Sequence, residues 1–506
     1  TLVAILGWQA VASLPFVSEH VVPTPAAILR SLYDARSTIV VGLPKTLGTA
    51  LSGWTIGNAI AILLAFAAGL WAPIERMVGN LAVTFHALPT IALAPILVAV
   101  ASGETTGVIL AALGVVFATI VGTLTGMRWP DPRLIEAVKV FGGGAVAEVV
   151  KVRMPSALSG MFSGLLLGVP AAMVGALMAE YLLAGRGMGA AIIAAQEGLD
   201  VPRVWALCLC CAAVSGVWFG LVLMAQRVLL PWTTEAAVSY RSETSTSGSG
   251  IAAALRTAAL GTGGFVVVAC GLWWLGLIAF KVTPYLGRTP ADVFTYMFLS
   301  ADSAHYRQEI YRALLPTLAT AATGLVCGTL VALAAVVVFT LFPLLRRAFM
   351  PSILVFRSVP LLAMIPMVTV ALGNGLAAVV VFTGLLAFFP TLITVLTAID
   401  ALPRELSNLG RAYNASSLQM LWSVRLPAAI PAVLQALRIT ATGAILGAVV
   451  TEWLATTNGI GHLMLTAAVE ARYAALWSSV TVITALSLVV YSCVVAIERS
   501  VRRRLA

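Results

Sequence analysis

The feature that most constrains this chain is a recurring apolar run of about 20 residues, the length an α-helix needs to cross the hydrocarbon core of a bilayer. Such runs occupy residues 47–70, 81–100, 108–124, 161–183 and 204–230. They return at 258–280, 315–341, 353–372, 377–396, 430–454 and 476–495. With the opening stretch 2–16, the sequence predicts about twelve spans. That opening stretch lacks a basic flank and a small-residue cleavage site, so it reads as a retained helix rather than a leader. The expected fold class is all-α and transmembrane, since a helix satisfies its own backbone hydrogen bonds in lipid. Composition agrees. Of 506 residues, 60% are hydrophobic and 10% charged, with a mean hydropathy of +1.01, against about 25% charged in a soluble domain.

The runs form two ordered sets. Thr46-Leu47, Gly53 and Gly57 return as Thr317-Leu318, Gly324 and Gly328. Pro89 and Pro95 return as Pro360 and Pro366, and Pro155 returns as Pro427. Glu180 and Gly187-Met188-Gly189 return as Glu452 and Gly459-Ile460-Gly461, while Trp8 and Thr24-Pro25 match Trp273 and Thr289-Pro290. The order is kept and the offset drifts by only a few residues, so the chain is a tandem duplication. The expected domains are 1–232 and 258–506, joined by 233–257. The joining segment carries the tract Ser-Glu-Thr-Ser-Thr-Ser-Gly-Ser-Gly, too poor in apolar surface to pack and suited to a tether. Six spans per half give both halves the same orientation, which makes the repeat parallel.

A net charge of +10 invites a nucleic-acid reading, but the basic residues gather at span ends, as at Arg346-Arg347 and Arg502-Arg503-Arg504. That pattern marks cytoplasmic loops, and no nucleic-acid partner is expected. Arg76, the segments 128–153 and 404–425, Arg227 and the C-terminal arginines are placed inside the cell. The turns near Gly103 and Gly375, the segments 185–202 and 457–472, and a connecting segment 18–45 are placed outside. The six cysteines lie within spans at no metal-site spacing and read as small packing residues.

The segment between the fourth and fifth spans carries the most specific pattern. In the first half it runs Glu136-Ala137-Val138-Lys139-Val140-Phe141-Gly142 and on to Met154-Pro155. An amphipathic helix over 133–141 is expected to stop at Gly142, where glycine accepts positive φ. A second helix over 145–152 should end against Pro155, giving a compact helix-turn-helix on the cytoplasmic face. This loop resembles the signature loop of ABC importer permeases, in which Glu-Ala-Ala precedes a Gly at fixed spacing and then a hydrophobic-Pro pair. Glu136, Ala137, Gly142 and Pro155 stand at the matching positions. The second half keeps Pro427 but has Asn408 for the Glu and Asn414 for the Gly, with Glu405 three residues upstream as a candidate substitute. Asn tolerates the left-handed region, so that turn is expected to persist.

Together with the Trp-containing first span, the Thr-Pro segments and the span-five Glu with its Gly-x-Gly, the resemblance covers most of each half. It is closest to permeases for nitrate, aliphatic sulfonates, taurine and similar small solutes. The resemblance implies two type I ABC importer permease domains of MetI-like core, fused so that one chain supplies the whole pore in a prokaryotic cell membrane. It implies two copies of a cytoplasmic ABC ATPase, one per loop, and an extracytoplasmic solute-binding protein. ATP and magnesium would be held on those ATPases, and no cofactor is expected in this chain. Its four lysines stand in no Gly-x4-Gly-Lys-Ser/Thr context, and no metal site or catalytic cluster is found, so the chain is not itself expected to be an enzyme. The alternative is a twelve-helix secondary transporter driven by an ion gradient.

Polar residues within spans are costly and default to functional candidates. Glu180 and Glu452 are candidates for an outer gate or for holding the Gly-x-Gly loops; the structural reading is a pairing with a cation or backbone amide. Pro89, Pro95, Pro360 and Pro366 should kink the third spans and free carbonyls along a pathway. Arg438, where the first half has Leu166, either faces an anionic solute or snorkels toward the cytoplasmic surface.

Overall fold

A computed structural model describes residues 8–9, 23–70, 93–101, 103–128, 130, 132–183, 187–231, 270–271, 273–279, 281–356, 359–402, 405 and 413–505. In the first half these form α1 (Pro25–Asp34), α2 (Arg36–Leu70), α3 (Ala94–Val100), α4 (Gly103–Arg128), α5 (Pro132–Val140), α6 (Ala145–Glu148), α7 (Met154–Leu183), α8 (Met188–Glu197) and α9 (Val201–Leu229). The second half supplies α10 (Pro290–Phe294), α11 (Ser303–Leu341), α12 (Pro343–Phe356), α13 (Ile365–Leu372), α14 (Leu376–Asp400), α15 (Ser417–Met420), α16 (Leu426–Ala455), α17 (Ile460–Val469) and α18 (Tyr473–Leu505). No strand occurs among the described residues. The joining segment 233–257 lies outside them.

Eight described helices are long and apolar enough to cross a membrane: α2, α4, α6 running into α7, α9, α11, α14, α15 running into α16, and α18. They are the second, fourth, fifth and sixth expected spans of each half. The first and third account for the other four. Residues 2–16 are described only at 8–9, 81–100 from residue 93, and 258–280 from residue 270.

Two boundaries differ from expectation. The segment 18–45 is helical from Pro25, and α2 begins at Arg36 rather than near 47. The Thr-Pro repeat explains the start: Thr24 Oγ1 accepts from Ala27 N at 3.2 Å, and Pro25 stands where a missing N–H costs nothing. Thr289-Pro290 repeats the device as a full capping box with Asp292. The third span of the second half, expected as one helix over 353–372, is interrupted instead. Helix α12 stops at Phe356, a 3-10 turn occupies Leu361–Met364, and α13 starts at Ile365.

In each half three spans pack mutually: α2, α4 and α7 in the first, α11, α14 and α16 in the second. Lipid tails are as apolar as the side chains, so close approach of small residues has to hold such helices together. A Cβ built on Gly57 would stand 2.7 Å from the Ala112 carbonyl oxygen, and one on Gly328 2.2 Å from that of Gly384. The repeated glycines are therefore contact points between the second and fourth spans. Ile56, Ile60 and Leu63 of α2, and Leu330 and Val331 of α11, are exposed, as lipid-facing side chains are. Helices α7 and α16 are the most enclosed spans, and Met173, Leu177, Val449 and Val450 join one core that continues across both halves. At the end away from α5, helices α8 and α9 meet α13, and α17 meets α3. The halves thus touch through α8 and α9 against α13, and through α17 against α3.

Candidate functional site: two connecting loops and two glutamate clasps

Helix α5 ends as the sequence predicts. Gly142 has φ +74°; its N–H bonds the Lys139 carbonyl at 3.0 Å and that of Gly143 bonds Val138 at 2.8 Å. Those two bonds form a Schellman cap and satisfy carbonyls the helix end leaves open. Glu136, Ala137, Gly142 and Pro155 are all exposed. So are two large apolar side chains, Val140 (82%) and Phe141 (89%), which the sequence reading did not single out.

The second helix does not end against Pro155. Helix α6 passes through a π-helical turn, Val149–Arg153, directly into α7, and Pro155 is the second residue of α7. In an unbroken α-helix the proline ring would collide with the carbonyl four residues earlier, and no N–H would reach it. The wider turn relieves this, the Met154 N–H bonding Val149 instead. The second half repeats it. Ser416 and Gln419 form a capping box before α15, a π turn spans Leu421–Arg425, Leu426 N–H bonds Leu421, and Pro427 is second in α16. The last helix of the loop and the span are therefore one continuous rod in both halves.

The two loops are not identical. Asn414 takes the place of Gly142 with φ +51°, so the left-handed turn persists on a residue that tolerates it. Asn408 lies outside the described residues, and Glu405 is exposed. In the first loop Glu148 Oε1 accepts from Arg153 Nε at 2.9 Å and Nη2 at 2.7 Å. The pair is five residues apart, whereas side chains meet at three or four in a regular helix. The π turn brings it together, which is why the spacing gave no signal. Buried Met420 stands where Glu148 would be.

At the other end of α7, Glu180 joins three segments. Thr46 Oγ1 of α2 donates to its carboxylate, 2.8 and 3.0 Å from the two oxygens. Gly189 N–H donates to Oε2 at 2.7 Å, and Met188 N–H donates to Thr46 Oγ1 at 2.9 Å. Glu452 repeats this with Thr317 Oγ1 at 2.9 Å, Gly461 N–H at 2.9 Å and an Ile460 N–H to Thr317 bond at 2.9 Å. The carboxylates pair with backbone amides and a threonine hydroxyl, and they hold the Gly-x-Gly loops. The glycines are required: a Cβ on Gly187 or Gly459 would lie 2.2 Å from the Glu180 or Glu452 carboxyl. Thr46 and Thr317, read only as repeat markers, are the second members of the clasps.

The remaining candidates scatter. Pro95 and Pro366 are the second residues of α3 and α13, so they start helices instead of kinking them, and no carbonyl is freed inside those helices. Pro360 is buried in the interruption before the 3-10 turn, and Pro89 lies outside the described residues. Arg438 Nη1 is 3.7 Å from Glu498 Oε2 on α18, with its guanidinium 6.0 Å from the Tyr491 ring centre. The basic side chain thus has a carboxylate partner, one the sequence reading did not pair with it.

A family profile described as "Binding-protein-dependent transport system inner membrane component" matches twice, over residues 57–235 and 324–506. A probable ABC transporter permease protein of Haemophilus influenzae is 27% identical over 41% of this chain and 82% of its own length. A putative aliphatic sulfonates transport permease protein of Bacillus subtilis is 26% identical over 46% of this chain and 84% of its own. A taurine transport system permease protein of Escherichia coli is 24% identical over 40% and 74%. Each match takes less than half of this chain and most of the relative, as a single permease domain set against one half of a fused pair would.

Proposed function

The chain belongs to the binding-protein-dependent transport system inner membrane components, and from that premise we propose that it forms the whole translocation pathway of an importer driven by two ABC ATPase subunits. It is a multi-pass membrane permease with two such domains in one chain. The family assignment sets aside the ion-gradient alternative. Partner ATPases and a solute-binding protein go with the family in general; two ATPase copies, one under each loop, is our reading. ATP and magnesium would then be bound and used on those subunits, with this chain supplying the mechanical element.

One observation carries the reading: both halves present an exposed loop joined rigidly to the most enclosed span through a π turn. A push on α6 is transmitted along α7 instead of being lost in a flexible joint. Phe141 and Val140 offer apolar surface for a partner to cover, the kind of anchor that dominates interfaces. The solute is proposed to be small and polar, an organic or inorganic anion such as a sulfonate or nitrate, in line with the sulfonate and taurine permeases above. The test is uptake in proteoliposomes holding the chain, its ATPase and its binding protein. Uptake should require internal ATP and survive a protonophore; uptake that follows a proton or sodium gradient without ATP would overturn the reading.

A further inference from the structure

The short outer helices α8 and α17 each abut the other half's third span, α13 and α3, and the clasps at Glu180 and Glu452 fix where those helices start. The two contacts are equivalent in position but not in chemistry. Gln196 of α8 donates its amide to Thr369 Oγ1 of α13, Nε2 to Oγ1 at 3.1 Å. The orientation of that amide is set by its partner: Thr369 Oγ1 donates its own proton to the Pro366 carbonyl at 2.9 Å, so it can only accept from Gln196. The amide's other end, Oε1, is buried and has no hydrogen-bond partner among the described residues. In the register of the repeat, Gln196 corresponds to Ala468 and Thr369 to Val98, and neither side chain can make such a bond.

We propose that Gln196 and Thr369 form a one-sided latch on the outer closure between the halves, so that the closure opens first where α17 meets α3. This rests on the importer reading for its purpose, not for its geometry. A hydrogen bond between halves in a low-dielectric seam favours the closed arrangement. The orphaned Oε1 opposes it, because a buried acceptor without a donor is costly and gains one as soon as water enters. The latch is therefore poised, not permanent. Gln196 and Thr369 act as gating residues, and the two halves of a fused chain have diverged to give the gate a leading and a trailing side.

The test reads the seam directly in the intact chain, in membrane vesicles without ATP. A protease site placed in the tether 233–257 separates the halves after reaction, so a bond between them appears as one band in place of two. Val98→Cys with Ala468→Cys reports closure on the unlatched side, and the parent chain without that pair gives the background. Adding Thr369→Val should slow oxidative cross-linking of the reporter pair by up to about fivefold, the equivalent of one hydrogen bond, whereas Gln196→Leu removes the orphaned Oε1 along with the donor and should slow it less. Combining the two should do no more than Thr369→Val alone, while Thr369→Ser should restore the rate. Unchanged cross-linking, or effects of the two that add, would overturn the latch. A slowed reporter together with ATP-independent uptake would leave the latch standing and sink the importer reading instead. Recovery of each variant from the membrane at parental yield separates gating from misfolding. A variant that fails this check is replaced by Thr369→Ala, which removes the acceptor without adding bulk and should slow the reporter as Thr369→Val does.

Discussion

At the scale of single residues, the clasps bear the most weight per atom. Thr46 and Thr317 each donate to a carboxylate and accept from a backbone N–H. Thr46→Val keeps the shape but removes both bonds, and we expect a loss of about 1–3 kcal/mol in thermal or denaturant unfolding of the purified chain; Thr46→Ser should be close to neutral. Gly459 combines φ +108° with a carboxyl 2.2 Å from where a Cβ would sit. Gly459→Ala should therefore cost about 2–4 kcal/mol, whereas Gly443→Ala, with nothing within 4 Å, should be neutral or slightly stabilising in the same assay. The sequence exposed the Glu and Gly-x-Gly of each clasp because they repeat at one spacing. It did not expose the Thr as their partner. Thr46 and Glu180 are 134 residues apart, and nothing in local periodicity reports a contact of that range.

At the scale of elements, the connecting loops show what pattern reading captures and where it stops. Gly142 and Asn414 could be assigned to left-handed turns from residue type, and both have positive φ. The join at Pro155 and Pro427 could not. Proline argues for a break, and the π turn that avoids one depends on where the backbone must go next, not on a residue preference. The third spans err the other way: prolines expected inside helices start them, since the chain places Pro95 and Pro366 where a missing N–H is harmless. The unequal loops give a functional prediction. Glu136→Ala should lower solute-stimulated ATP hydrolysis by about tenfold, the effect of removing a charged contact worth more than about 1 kcal/mol. Asn408→Ala should leave it nearly unchanged. Equal losses from the two would show that the loops carry equal loads despite their divergence.

At the scale of the molecule, duplication was legible because it leaves ordered matches along the whole chain, and eight of the expected spans stand as long helices among the described residues. How the halves meet was not, since the seam sets α8 and α9 against α13 and α17 against α3, and local periodicity does not report contacts between segments so far apart in the chain. That seam predicts that cutting the chain within 233–257 leaves the halves together: after proteolysis in mild detergent both fragments should elute as one species, through a core that crosses the halves. The central claim is that one chain does the work of a permease pair. Native mass spectrometry of the complex purified from membranes tests it most directly. The account predicts one copy of this chain with two ATPase subunits; two copies of the chain per ATPase pair, or a chain carrying no ATPase at all, would contradict it.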